Sequence, residues 1–186
     1  MKTTTKTLIQ SFIIVPLVAT TLSMNAFTAS INDAVSKITS AEVTTTLSPE
    51  AIALQQARDE KAAKIDAYYA QYDLPLKGYG MKMVLAAEEH DLDWRLLPAL
   101  AMRETTGGKF ACKKNPFGFG SCKISYASFD ESIDAVANHL GGDNPKTERY
   151  YAGKDTTGIL KAYNSVIPAY TKEIFGIMAK IEKMDA

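Results

Sequence analysis

From Ser48 onward, apolar residues recur at helical spacing and are interrupted by capping and turn residues. The clearest case follows Ser128: Phe129, Ile133, Val136, Ala137 and Leu140 fall at i, i+4, i+7, i+8 and i+11, one stripe of a helix. Ser128 and Glu131 have the spacing of a capping box before that stripe, and Gly141 with Gly142 stops it. A last helix begins at Pro168 and aligns Tyr170, Ile174, Ile177, Met178 and Ile181. Tyr79 to His90 reads as a helix burying Met83, Val84 and Ala87, and Trp94 to about Thr105 as a second. Pro98 bends the first turn of that second helix or delays its regular start. A short helix covers about Thr157 to Tyr163. Upstream, Ser48 caps a helix with Pro49 in first position, running to about Tyr72 with a stripe of Ile65, Tyr68, Tyr69 and Tyr72. Leu74 to Gly78 is a turn. Residues 106–127 contain Gly107, Gly108, Asn115, Pro116, Gly118 and Gly120 and form a loop with a short hairpin at most. The pattern predicts a small all-α domain with one long loop.

The start of the chain has another character. Lys2 and Lys6 precede a mostly apolar run from Leu8 to Leu22, too short for a comfortable membrane span of about 20 residues. Residues 1–28 therefore read as an export signal, with retention as a short membrane anchor as the alternative. Residues 29–48 are a Ser/Thr-rich linker and 49–61 a charged helical lead-in to a compact domain at 62–184.

Composition narrows the chemistry. The 186 residues carry 21 Lys+Arg against 21 Asp+Glu, without the basic excess of a nucleic-acid binder. Two His and two Cys are too few for the usual zinc sites, so no metal and no cofactor is expected. In the oxidising compartment that an export signal implies, Cys112 and Cys122 would pair. Closing so short a loop contributes roughly 3 kcal/mol in the chain-entropy model. Two unpaired buried thiols are the other reading.

Glu104 is the candidate acid. It follows Leu97, Leu100 and Ala101 on one helical stripe, and it lies at a helix C-terminus where the macrodipole opposes negative charge. Both conditions favour the protonated carboxyl, as a general acid requires. Arg103, Lys109, Lys113, Lys114 and Lys123 act in the opposite sense, and pairing of Arg103 with Glu104 would remove the acid role. Neighbouring helix positions diverge by about 100°, so that pairing is not the default. A helix-end Glu reaching into solvent is the plain alternative. Beyond it, Asn115 to Ser121 (NPFGFGS) alternates rings with glycines between the cysteines. Aromatic faces beside accessible backbone amides suit sugars bearing N-acetyl groups. Lys161 to Asn164 (KAYN) offers a phenol and an amide at a helix end.

Taken in order, Ala99 to Gly108 (ALAMRETTGG), the Asn115 to Gly118 turn and Ala162 to Asn164 (AYN) resemble lysozyme-like lytic transglycosylases and the related bacterial endo-β-N-acetylglucosaminidase domains. The resemblance covers about residues 62–184 and implies a lysozyme-like helical fold, α+β at most. Thr105 stands where Ser is commoner, and the Pro-Phe-Gly-Phe-Gly turn lies nearer the glucosaminidase branch. The resemblance implies cleavage of β-1,4 bonds in peptidoglycan glycan strands; the export signal places the chain, expected to be a monomer, in the periplasm, the cell wall or the medium. Glu104 would be general acid and base, and Tyr163 and Asn164 would stand near the acetamido group. Asn115, Phe117, Gly118, Phe119, Tyr126 and Tyr150 would be substrate contacts. A hydrolase would want a second carboxylate. Glu131 is explained by its cap, while Asp130, Asp134, Asp143 and Asp155 are unranked. Two rivals remain: a non-catalytic peptidoglycan-binding module on the same fold, and a cell-wall peptidase built from Cys112 or Cys122 with His139.

Overall fold

The computed structural model describes residues 48–185. The expected export signal, and all of the linker except Ser48, lie outside the described residues. Seven α-helices and one 3-10 turn make up the domain, with no strand among the described residues. The domain is all-α, as the periodicity predicts.

Helix α1 (Pro49–Ala70) starts where Ser48 accepts the Ala51 amide and runs unbroken across the 61/62 boundary. Its first half is largely exposed, and its buried face begins at Ala62, followed by Ile65, Tyr68 and Tyr69. Tyr72, expected on that stripe, is 53 % exposed. The helix ends two residues earlier, and Asp73 with φ 48° turns the chain so that Leu74 is buried instead.

Helix α2 (Gly80–Glu89) packs along α1, and α3 (Leu96–Thr105) lies between α2 and α7 (Tyr170–Glu182). The residues Leu96 to Ala101 are all buried, so α3 has no solvent face over its first six positions. Pro98 sits in the first turn, where its missing N–H leaves no helical bond unmade. Helix α4 (Phe129–Gly141) buries Ile133, Val136, Ala137 and Leu140 and ends on Gly142 at φ 87°. Its box is half reciprocal: Ser128 accepts the Glu131 amide, but the Glu131 carboxylate reaches back to Ala127 rather than to Ser128.

The short α5 (Glu148–Tyr151) has no counterpart in the sequence pattern, since four residues cannot show a period. It is pinned by buried Tyr151. Helix α6 (Thr156–Tyr163) is capped by Asp155, and α7 carries Tyr170, Ile174, Met178 and Ile181 into the core.

The loop at 106–127 forms no hairpin. A single bridge joins Cys112 and Asn115, and the chain then coils through a 3-10 turn at Phe119–Cys122. Lys113, Lys114, Gly118, Gly120, Ser121 and Cys122 all have φ between 51° and 65°, which breaks any extended run before two strands can pair. The Cys112–Cys122 disulfide closes this coil with a Cα–Cα separation of 6.0 Å.

Candidate active site

Helix α3 ends abruptly. Thr106 is left-handed at φ 53°, followed by Gly107 at φ 59° and Gly108 at φ 88°. A Cβ on Gly107 would lie 2.7 Å from Leu74 Cδ1, so only glycine lets the chain turn back beneath the α1–α2 connection. Thr105 joins the helix end to the disulfide loop. Its hydroxyl donates to the Pro116 carbonyl at 2.6 Å and accepts the Gly108 amide at 3.1 Å. A Thr at the position after Glu104 thus serves as a clip.

Glu104 is half-buried at the edge of a cavity of about 260 Å³. Phe117, Gly118, Phe119, Gly120 and Ser121 form the loop side of the cavity, and Tyr151, Tyr163 and Asn164 the helical side. The two carboxylate oxygens differ. Oε1 accepts a hydrogen bond from the buried Tyr170 hydroxyl at 2.6 Å. Oε2 faces Gly118, where a Cβ would stand 3.5 Å away. Arg103 does not compete: its Nε donates to Glu173 at 2.7 Å, and its guanidinium rests 5.8 Å from the Tyr170 ring centroid.

The phenols brace one another. Tyr163 and Tyr170 stack with centroids 6.1 Å apart and planes 13° apart, and the Tyr163 hydroxyl donates to the Phe117 carbonyl. Burial pushes both phenols well above the ordinary tyrosine range. The hydrogen bond to Glu104 and then its charge add to the rise at Tyr170, and its charge adds at Tyr163. Both therefore stay protonated and keep their role as donors at neutral pH.

The sequence-predicted residues separate into three groups. Glu104, Phe117, Gly118, Phe119, Tyr163 and Asn164 come together around the cavity. Within that group, Phe117 is fully buried. Phe119 stacks on His139 at 4.7 Å and neighbours Tyr163 at 6.2 Å. Asn164 spends its Oδ1 on the amides of Val166 and Ile167.

Asn115 stands behind the loop side. It is fully buried, and its amide bonds both N–H and C=O of Phe119, closing the turn from within. Tyr126 and Tyr150 are outside the lining. Tyr126 is half-buried, and Tyr150 is 47 % exposed with its hydroxyl bonded to Arg149. The adjacent Tyr151 lines the cavity instead.

Tyr170 and Tyr151 are not among the residues the sequence singles out for the site, and Gly120 and Ser121 enter only as part of the Asn115 to Ser121 segment. For Tyr170 a signal existed, because a tyrosine on a fully apolar stripe must find a partner for its hydroxyl.

The other acids are occupied elsewhere or lie apart. Asp134 pairs with Lys82, Asp143 with His90, and Asp155 and Glu131 cap helices. Asp130 is exposed and also lies outside the lining. Glu104 is the one acid among the lining residues. Both cysteines are joined in the disulfide, so neither offers the thiol that a Cys–His peptidase needs. Burial and the Lys146 charge hold His139 below its usual range. No cluster of three His, Cys, Asp or Glu side chains suited to a metal occurs among the described residues. The disulfide is compatible with an oxidising, exported location. No helix among the described residues is long and apolar enough to cross a membrane.

Compared with protein-family models, with curated proteins and with solved structures, the chain gives no match.

Proposed function

We propose that this chain is an exported, cell-wall-active enzyme that cleaves β-1,4 bonds between N-acetylated sugars of peptidoglycan, with Glu104 as its general acid and base. The observation that carries this reading is the division of labour at the carboxyl. One oxygen is held by Tyr170, while the other faces Gly118 at an aromatic-lined cavity. A carboxyl held in this way can present one O–H to a glycosidic oxygen without rotating away.

In the proposed reaction, Glu104 protonates the leaving oxygen as the glycosidic C–O bond breaks through an oxocarbenium-like state. In the transglycosylase version of the reaction the substrate supplies the rest. Its acetamido group stabilises C1, its 6-hydroxyl attacks C1 to close an anhydro ring, and the hydroxyl proton returns to Glu104. In the hydrolase version water attacks C1 in place of the 6-hydroxyl, and the products distinguish the two routes. The cavity lies just under the usual small-molecule range of about 300–1,000 Å³. Such a space suits a single ring of a longer strand that lies mainly outside it.

The test is digestion of purified peptidoglycan by the wild type and by Glu104→Gln, read by mass spectrometry. The expected result is anhydro-ended fragments from the wild type and none from the variant, with the variant still bound to the polymer. Reducing-end products would replace the intramolecular step by hydrolysis. A wild type that binds and never cuts would leave a non-catalytic module.

A further inference from the structure

The charges of the disulfide loop all have one sign. Residues 106–127 include Lys109, Lys113, Lys114 and Lys123 and no Asp or Glu, in a chain whose formal charge is zero. All four side chains are exposed, and none forms a salt bridge among the described residues.

The loop gathers them. Lys113 and Lys123 each follow a cysteine of the 6.0 Å Cα–Cα link, and the Lys113 carbonyl accepts the Tyr126 amide at 3.1 Å. The Lys114 ammonium lies 5.4 Å from the Phe129 ring centroid. The Lys109 ammonium lies 5.7 Å from the Phe110 ring centroid. Phe110, 69 % exposed beneath the Lys109 ammonium, and Ile124, 38 % exposed, add apolar surface.

We propose that this lysine face binds an acidic glycan: a strand of N-acetylated sugars whose substituents carry carboxylates. The four lysines hold the strand while one of its glycosidic bonds lies at Glu104, so the proposal rests on the glycosidase reading. Charge complementarity is the first argument. Four positive charges on one loop without an acid make a locally positive surface, and a polyanion laid across it is attracted most at low salt. Continuity is the second. The same loop presents Phe117 to Ser121 to the cavity, and Lys114 and Lys123 flank that stretch along the chain. An anionic lipid surface is the competing class of partner, but the loop lacks the amphipathic helix by which such surfaces are commonly entered. A neutral strand would meet the cavity alone, so the face selects for acidic glycans.

The experiment is co-sedimentation of the full chain carrying Glu104→Gln, which leaves the polymer uncut. The polymer is purified peptidoglycan, either native or with its carboxyls amidated by carbodiimide and methylamine. At about 0.05 M salt, amidation should weaken binding about tenfold, and K109Q/K113Q/K114Q/K123Q should do the same to native polymer. The difference should vanish near 0.5 M salt, where screening acts over a few ångströms. A thermal melt checks that the fourfold variant is folded; if it is not, the amidation arm decides. Equal binding to native and amidated polymer, no binding to either, or a folded fourfold variant that binds like its parent overturns the proposal. Tighter binding to phosphatidylglycerol vesicles than to peptidoglycan overturns it in favour of lipid. If the wild type never cuts but the preference for native polymer persists, the glycosidase reading fails while the anionic-glycan surface stands.

Discussion

Tyr170→Phe removes one oxygen from the site and little else. The ring can stay stacked on Tyr163 at 6.1 Å, with the Arg103 guanidinium 5.8 Å from its centroid. What is lost is the 2.6 Å bond to Glu104 Oε1. A hydrogen bond to a charged group contributes about 1.5–3 kcal/mol. In the free protein Glu104 is only half-buried, so water replaces part of the loss. Folding stability should then fall by about 1 kcal/mol, or roughly 3–5 °C in Tm.

During turnover the sugar displaces that water, and the carboxyl has nothing to stop it rotating. If the full 1.5–3 kcal/mol enters the barrier, kcat drops about 10–150-fold. The assay is clearing of purified peptidoglycan with kcat and KM separated, run beside a thermal melt. A positioning role lowers kcat and leaves KM within about twofold. An unchanged kcat with a lowered Tm would refute the reasoning. Tyr170 would then be a core residue with a satisfied hydroxyl, and Glu104 would need no aiming.

Three further outcomes follow from the same geometry. Replacing Cys112 and Cys122 by Ser should lower stability by roughly 3 kcal/mol in urea melts. It should reduce clearing beyond what that loss explains, because Phe117 to Ser121 lie inside the ring. Gly118→Ala places a methyl 3.5 Å from Glu104 Oε2 on a backbone at φ 61°. It should fold with a loss of about 1 kcal/mol, yet clear peptidoglycan at least about tenfold more slowly, since the methyl occupies the approach to the acid. Alkaline pH should unfold the domain, because burial raises the phenols of Tyr69, Tyr163 and Tyr170. Unfolded tyrosines release their protons near pH 10 while these three hold theirs, so the stabilisation is complete below about pH 10 and is lost as pH rises beyond it. The slope approaches about 1.4 kcal/mol per pH unit for each tyrosine, and urea melts between pH 9 and 11 should show Tyr170→Phe with a shallower slope.

The helices were legible because their determinants are local. The Ser128 cap, the Gly142 stop and the stripe of Ile133, Val136, Ala137 and Leu140 all act within a turn or two of the chain. Where local signals were weak, the reading departed from the structure. Tyr72 falls outside the core because α1 ends just before it. The four-residue α5 carries no period, and the loop takes a coiled path rather than a hairpin because six of its residues are left-handed. Asn115 enters as a sugar contact through the family resemblance, which says nothing of where its side-chain amide is bonded. In the fold both ends of that amide are bonded to Phe119.

By itself the sequence determined the class of domain, an acid at the end of a buried helix, and two cysteines bracketing a glycine-rich loop. Side-chain periodicity and capping reach only a few residues, and those features need nothing longer. Only the tertiary structure decided what surrounds the acid. Tyr170 meets Glu104 across 66 positions, and Tyr163 meets the Phe117 carbonyl across 46. Such contacts are set by how α3, α6, α7 and the disulfide loop pack together. A buried hydroxyl must find an acceptor, but which acceptor it finds depends on the shape of the whole core.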